Sequence, residues 1–233
     1  VAEFEVALST DQEIPLVPGR SETGTASMTL YDDNTLEYDI TVNGLSSSDA
    51  LTASHVHSGN VVNTGDVVIA LVDGTERTFS GNSASGSLTI TDDQASALQG
   101  SDVYVNVHST EVPPGLVRGQ IDVTVDAAYN VAMNTENEIP LVSGREETGE
   151  AYLRLVGNTL HYRMLVNDLA ADDALTASHV HMGNVVSTGG VVIAIVDGTE
   201  RTFTDNMATG SFEVTDDQIT ALAGDDVYIN VHS

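Results

Sequence analysis

The stretch LTASHVHSGNVVNTGDVVIALVDGTERTF, from Leu51 to Phe79, is the most informative part of the sequence because it occurs twice. It returns as LTASHVHMGNVVSTGGVVIAIVDGTERTF from Leu175 to Phe203. Within it, short runs of β-branched residues are separated by Gly, Asn and Asp, a pattern typical of strands joined by turns. A repeat of this length indicates that the chain contains two copies of one β-rich unit.

Motifs on both sides of this stretch recur at nearly the same spacing. Glu13–Val17 returns as Glu138–Val142, and Val103–Ser109 returns as Val227–Ser233. The repeat therefore extends over most of the chain. We predict two tandem domains with bounds at 1–126 and 127–233.

The two copies end differently. The first continues through a further strand-like segment, Val117–Val123, which the second lacks. A β-domain without its last strand exposes unpaired backbone groups, which a strand from another subunit would cover. The sequence thus predicts self-association, as a homo-oligomer or, if the addition is head-to-tail, as a filament. A chain that continues beyond Ser233 explains the difference equally well.

The periodicity within each copy indicates an all-β fold class. Apolar and polar residues alternate in Leu36–Val42 and in Val103–His108, as they do in strands with one buried face. Thr91–Gln94 has the capping-box pattern of a helix start, and Thr215–Gln218 repeats it. We predict two tandem antiparallel β-sandwich or barrel domains, each with one short helix.

The composition excludes several classes of partner. Thirty-five Asp and Glu residues stand against seven basic ones, all arginine, which gives a net charge of −28. Phosphate backbones and anionic lipid surfaces would repel such a chain, so we expect no nucleic-acid partner. No apolar run approaches the ~18 residues of a membrane span. The absence of cysteine excludes disulfides and thiolate metal sites.

The acidity also indicates an environment. A surface rich in carboxylates suits a protein that stays hydrated near molar salt, where screening shortens the Debye length to about 3 Å. We therefore expect a halophilic source, with an acidic surface protein of an ordinary marine cell as the alternative. The chain begins at Val1 rather than Met, as a mature secreted chain would. The expected location is extracellular or at the cell surface.

Six of the seven histidines fall at equivalent positions of the repeat: His55, His57, His108, His179, His181 and His232. Residues i and i+2 of a strand share a face, so each His-x-His presents two imidazoles, and a third on a neighbouring strand completes a cluster. Imidazole suits Zn²⁺ and Cu²⁺, which predicts a Cu or Zn site in each domain. Alternatively, the histidines hydrogen-bond across strands and hold the loop 59–65. His161 lies outside this pattern and is expected to be solvated.

These observations favour a surface or structural protein that forms filaments by strand donation, with one divalent metal site per domain. Two alternatives remain open: a soluble secreted metal-binding module, and a three-histidine metalloenzyme. The sequence shows no Ser/His/Asp set, phosphate loop or paired catalytic carboxylates, so we expect no enzymatic activity.

Taken together, five blocks of the first copy resemble the CHRD domain, a module named for chordin and found in secreted proteins. The blocks are Gln12–Pro15, Thr23–Ala26, Leu51–His57, Val103–His108 and Val117–Ile121. The resemblance implies an extracellular, β-rich, immunoglobulin-like or barrel module. The second copy departs from the family by lacking the Arg-Gly-Gln-Ile segment.

The family pattern also suggests a pairing between Glu13 and Arg118. Such a pair would leave Glu138, the second copy's equivalent of Glu13, without its partner in the same domain. A neighbouring molecule would then have to supply it. The alternative is that both residues only cap turns.

Overall fold

The structure is a computed structural model, and it describes residues 1–224 and 226–233. The chain folds into two compact units, Val1–Ala128 (unit 1) and Tyr129–Ser233 (unit 2). No helix in the described part of the chain is both long and apolar enough to cross a membrane.

Unit 1 is built from one antiparallel sheet and one short α-helix. Its elements are β1 (Ala2–Ser9), β2 (Thr23–Leu30), β3 (Thr35–Asn43), β4 (Leu51–Ser58), β5 (Val67–Val72), β6 (Ser83–Thr89), α1 (Asp92–Leu98), β7 (Val103–Ser109) and β8 (Val117–Gln120). The strand order is β5-β4-β7-β8-β1-β2-β3-β6, and the sheet curls into a nearly closed barrel. Alternating residues of β2 and β3 fill the core, as Leu36 and Ile40 of β3 do with no exposed surface.

Strand β8 holds the two halves of the unit 1 sheet together. It pairs antiparallel with β7, where Arg118 lies opposite Asn106, and it meets β1, where Arg118 lies opposite Ser9. Leu116 and Val117 at its start are completely buried in the hydrophobic core. The short strand β8 therefore supplies both backbone pairing and apolar packing.

Along the chain, unit 2 has the same succession of strands and helix as unit 1, up to the strand that corresponds to β7. Its first strand, β9 (Ala127–Asn134), begins two residues before the unit boundary. The other elements are β10 (Thr148–Val156), β11 (Thr159–Asn167), β12 (Ala177–Met182), β13 (Val191–Val196), β14 (Met207–Glu213), α2 (Asp216–Leu222) and β15 (Val227–His232). The strands form two separate sheets, β14-β11-β10-β9 and β13-β12-β15. Within the described residues of unit 2, no strand corresponds to β8.

Both helices begin with the predicted capping box. The Thr91 hydroxyl accepts a hydrogen bond from the Gln94 backbone at 3.2 Å, and the Gln94 side chain accepts one from the Thr91 backbone at 2.9 Å. Thr215 and Gln218 form the same pair of bonds at the start of α2. The predicted fold class, two tandem antiparallel all-β domains with one short α-helix each, is confirmed.

A partly buried ion-pair network ties three loops of unit 1 together. The guanidinium of Arg20 donates to Glu22 at 2.8 Å, to Asp49 at 2.6 Å and to Glu111 at 2.8 Å. Burial opposes ionisation of Asp49, but hydrogen bonds from the Glu111 backbone, Arg20 and neighbouring hydroxyls outweigh it and lower the pKa of Asp49 well below its ordinary range. The pKa of Glu22 is also lowered, because its bond to Arg20 outweighs burial.

The lowered pKa values make the stability of unit 1 depend on pH. A carboxylate whose pKa is lower in the folded state contributes stability above its unfolded pKa of about 4, and this is lost as the pH falls further. Asp49→Asn should lower the free energy of unfolding by about 1–3 kcal/mol at pH 7 and should flatten its decline between about pH 5 and 2. Urea unfolding across that range, with hydrogen exchange to assign the transition to unit 1, tests this. An unchanged pH profile would exclude Asp49 as a source of the acid sensitivity.

Candidate metal centre

The two neighbouring strands β4 and β7 place three histidines of unit 1 on one face of the sheet. His55 and His57 lie on β4, and His108 lies on β7. In the register of this pair, His55 is opposite Asn106, and His108 is opposite Ala53. The intervening Val56 is fully buried in the core on the other face. The strand alternation thus brings the three imidazoles together and away from the apolar core.

The ring nitrogens of this triad lie close to one another. One nitrogen from each of His55, His57 and His108 lies within 4.8 Å of the others. The closest pair is His55 Nδ1 and His108 Nε2, at 3.0 Å. The His57 ring lies 5.5 Å from the His55 ring and 6.1 Å from the His108 ring, centroid to centroid.

Backbone carbonyls fix the tautomers of two members of the triad. His57 Nδ1 lies 3.1 Å from the Gly65 carbonyl oxygen, and His108 Nδ1 lies 2.9 Å from that of Pro113. Because a carbonyl oxygen only accepts hydrogen bonds, each Nδ1 must carry the proton. Each Nε2 therefore has a lone pair directed away from its carbonyl. Metal-binding histidines in proteins are oriented by the same kind of bond.

The remaining bonds show which nitrogens are available. His57 Nε2 is buried and has no hydrogen-bond partner among the described residues. His108 Nε2 can accept a hydrogen bond only from the Nδ1–H of His55. To bind an ion here, neutral His55 would carry its proton on Nε2 instead, which would free Nδ1 as a ligand. The donor set would then be His55 Nδ1, His57 Nε2 and His108 Nε2.

The environment keeps these imidazoles neutral. Burial, together with the nearby His108 and His57, lowers the pKa of His55 to about 4. Burial also lowers the pKa of His57, against the hydrogen bond to Gly65, and that of His108. The neutral form, which is the form that binds metals, therefore predominates at neutral pH despite the acidic surface of the protein.

The loop 59–65 packs against the triad, and two glycines allow its close approach. A Cβ at Gly65 would lie 2.4 Å from the Ser58 carbonyl oxygen. Gly59 has φ of +139°, and a Cβ there would lie 2.6 Å from the Asn63 carbonyl oxygen. Because His57 bonds to Gly65, the alternative interpretation, that the histidines hold this loop, also has structural support. The bond between His57 and Gly65 would both hold the loop and orient the imidazole for metal binding.

Two side chains beneath the triad were not predicted from the sequence as part of the site. Tyr104 stacks on the His57 ring with a centroid separation of 5.2 Å. The guanidinium of Arg118 lies 3.6 Å from the Tyr104 ring centroid, and it donates to the carbonyls of Asn60 and Asn63 at 2.6 and 3.0 Å. The repetition of Val-Tyr-x-Asn-Val-His in both copies is the signal that could have identified the tyrosine.

Arg118 and Glu13 are both almost completely buried. Burial lowers the pKa of Arg118 to about 10, while the negative charge of Glu13 acts in the opposite direction. The Glu13 carboxylate accepts a hydrogen bond from the Asn106 amide at 3.3 Å. The two charges are therefore electrostatically coupled inside unit 1, and Arg118 does more than cap a turn because it binds the loop 59–65.

Unit 2 contains an equivalent triad. His179 and His181 of β12 and His232 of β15 place one nitrogen each within 4.8 Å of the others. His179 Nδ1 lies 3.1 Å from His232 Nε2, and His181 Nδ1 lies 3.0 Å from the Gly189 carbonyl oxygen. His181 also stacks on Tyr228, as His57 does on Tyr104. All six predicted site residues thus gather into two clusters of the same design.

The seventh histidine is not part of either cluster. His161 lies on β11, in the other sheet of unit 2, and is half-buried. This placement makes His161 a suitable control for experiments on the triads.

Comparison with known proteins gives a match to one protein family. The model of the CHRD domain matches residues 4–121 and, again, residues 129–233. No curated protein and no solved structure is detectably similar to the chain. The family match covers both triads.

Proposed function

Because this chain belongs to the CHRD domain family, whose members are typically secreted, we propose that it is a secreted metal-binding protein. Each unit binds one Cu²⁺ or Zn²⁺ ion through three imidazoles: His55, His57 and His108 in unit 1, and His179, His181 and His232 in unit 2. The protein captures these ions from its surroundings, with water or a group from another molecule at the remaining coordination position.

The observation that carries this proposal is the unsatisfied nitrogen in each triad. His57 Nε2 and His181 Nε2 are buried without a hydrogen-bond partner among the described residues. A buried polar atom left without a partner costs about 1–3 kcal/mol. Cross-strand hydrogen bonding alone leaves this cost in place, whereas a metal ion bound to all three nitrogens removes it.

The donor set selects the class of metal. Each triad offers nitrogen donors only, which suit Cu²⁺ and Zn²⁺ and not the oxygen-preferring Ca²⁺ and Mg²⁺. Protein sites with a given set of ligands generally bind Cu²⁺ more tightly than Zn²⁺. We therefore expect both ions to bind, Cu²⁺ more tightly.

Calorimetric titration of the metal-stripped chain at pH 7 tests the proposal. We expect uptake of about two Cu²⁺ ions per chain, from one three-histidine site per unit. The double variant His108→Ala/His232→Ala removes one ligand from each triad and should lose both high-affinity equivalents. His161→Ala is the matched control and should bind as the unchanged protein does. No uptake by the unchanged protein, or equal uptake by the double variant, would refute the proposal.

A further inference from the structure

Unit 2 has an open gap between two strand edges. Strand β15 pairs only with β12, and β9 is the last strand of the other sheet, so each presents an edge without a neighbour in the described structure. The two strands line a cavity of about 780 Å³, which extends to the core residues Leu153, Val180 and Leu222. In unit 1, the corresponding space between β7 and β1 is filled by β8.

Equivalent residues of the two units differ sharply in exposure around this gap. Val61 and Val62 are 4% and 2% exposed in unit 1, whereas the equivalent Val185 and Val186 are 94% and 79% exposed in unit 2. The same apolar sequence is therefore buried when a strand occupies the gap and exposed when none does. Val185 also lines the cavity, and exposed apolar residues beside an open cavity are typical of an interaction site.

We infer that this gap is an acceptor site for one β-strand with the Leu-Val-Arg-Gly-Gln pattern of β8. The occupant runs antiparallel to β15 and bonds to its backbone, as β8 bonds to β7. This mode of binding is strand addition, in which main-chain bonds give affinity and side-chain pockets give specificity. The inference does not depend on metal binding.

The carboxylate of Glu138 and the ring of Tyr228 at the gap favour an arginine at the third position of the occupant's Leu-Val-Arg-Gly-Gln pattern. The Glu138 carboxylate accepts a bond from the Asn230 amide at 3.2 Å, as Glu13 does from Asn106 in unit 1. Tyr228 supplies the ring that corresponds to Tyr104, against which Arg118 packs in unit 1. The occupant's arginine would complete the same arrangement of ring and buried charge.

The fourth position must be glycine. In unit 1, a Cβ at Gly119 would lie 2.3 Å from the Ala7 carbonyl oxygen and 2.6 Å from the Val6 side chain. Val131 and Ala132 occupy the equivalent positions of β9. A strand with a larger residue at this point could not approach β9 closely enough to pair with it.

Binding of a synthetic peptide tests the inference. The probe is a fluorescent peptide with the sequence of residues 114–123, PGLVRGQIDV, added to the metal-stripped chain 1–233. We expect saturable binding at one site, weakened at least tenfold when the peptide's arginine is replaced by glutamine or its central glycine by valine. Equal binding of all three peptides would overturn the inference. A chain that dimerises and then excludes the peptide would also overturn it, in favour of a second copy as the occupant.

A grafted strand locates the site. Residues 110–123, added after Ser233, would supply unit 2 with its own copy of the segment that contains β8. The grafted chain should no longer bind the peptide, and amides around Val185 should become protected from hydrogen exchange. A grafted chain that binds the peptide as before would show that the peptide binds elsewhere and would overturn the inference. A matched graft with Arg→Gln and Gly→Val should not protect these amides.

Discussion

Replacing His57 by alanine should remove one of the two expected Cu²⁺ equivalents and leave the other intact. His57 contributes the nitrogen that has no hydrogen-bond partner among the described residues. Its loss leaves only His55 and His108 as ligands at the metal site of unit 1. A three-ligand site that loses one ligand should weaken by well over the 10–100-fold that loss of an outer-shell partner costs. Calorimetric titration should show the stoichiometry fall from two to one.

The equivalent change in unit 2 is the natural control for this variant. His181→Ala should remove the Cu²⁺ equivalent of unit 2 and leave that of unit 1. The variant His57→Ala/His181→Ala should bind no Cu²⁺ tightly. Zn²⁺ should follow the same pattern with lower affinity. If His57→Ala retained two tight equivalents, the ion would have to be held by other residues, and the assignment of the ligands would be wrong.

Replacing Arg118 by glutamine should destabilise unit 1 by about 3–5 kcal/mol, the usual cost of removing one member of a buried charged set. Arg118 is 1% exposed and binds the carbonyls of Asn60 and Asn63. Glutamine cannot reach both carbonyls while packing on Tyr104, and it leaves the Glu13 charge without a cation nearby. The loop 59–65 should loosen as a result.

Urea unfolding, with hydrogen exchange to assign each transition, measures this effect. The unit 1 transition should move to lower urea, and the unit 2 transition should not move. Arg163→Gln is the matched control, because it removes a guanidinium from a half-buried position on β11 and should change stability by less than about 1 kcal/mol. Unchanged unfolding of Arg118→Gln would mean that the buried arginine contributes nothing to the fold.

The strands, the helix caps and the grouping of the histidines follow from local patterns that the sequence displays. Alternation in Leu36–Val42 marks one face of a strand, and Thr91–Gln94 supplies its own cap. The geometry that makes the triad suited to a metal is not local. It depends on the carbonyls of Gly65 and Pro113, which reach His57 and His108 only after the loops fold back. A pattern of residue types does not predict where a backbone carbonyl oxygen will lie relative to a side chain.

The role of Arg118 was only partly predictable. The family pattern suggested a pairing with Glu13, but it gave no sign that the guanidinium would pack on Tyr104 or bind the loop 59–65. These contacts join β8 to a loop distant in sequence. The consequence for unit 2, the exposure of Val185 and Val186, becomes visible only when the two units are compared as structures.

Pulsed electron paramagnetic resonance of the Cu²⁺-loaded chain tests the metal centre most directly, because it counts the imidazole nitrogens bound to the ion. The geometry predicts three bound imidazoles at each of two centres, and loss of both signals in the His108→Ala/His232→Ala variant. Copper bound by backbone amides or carboxylates, with one imidazole or none, would contradict coordination by the two histidine triads.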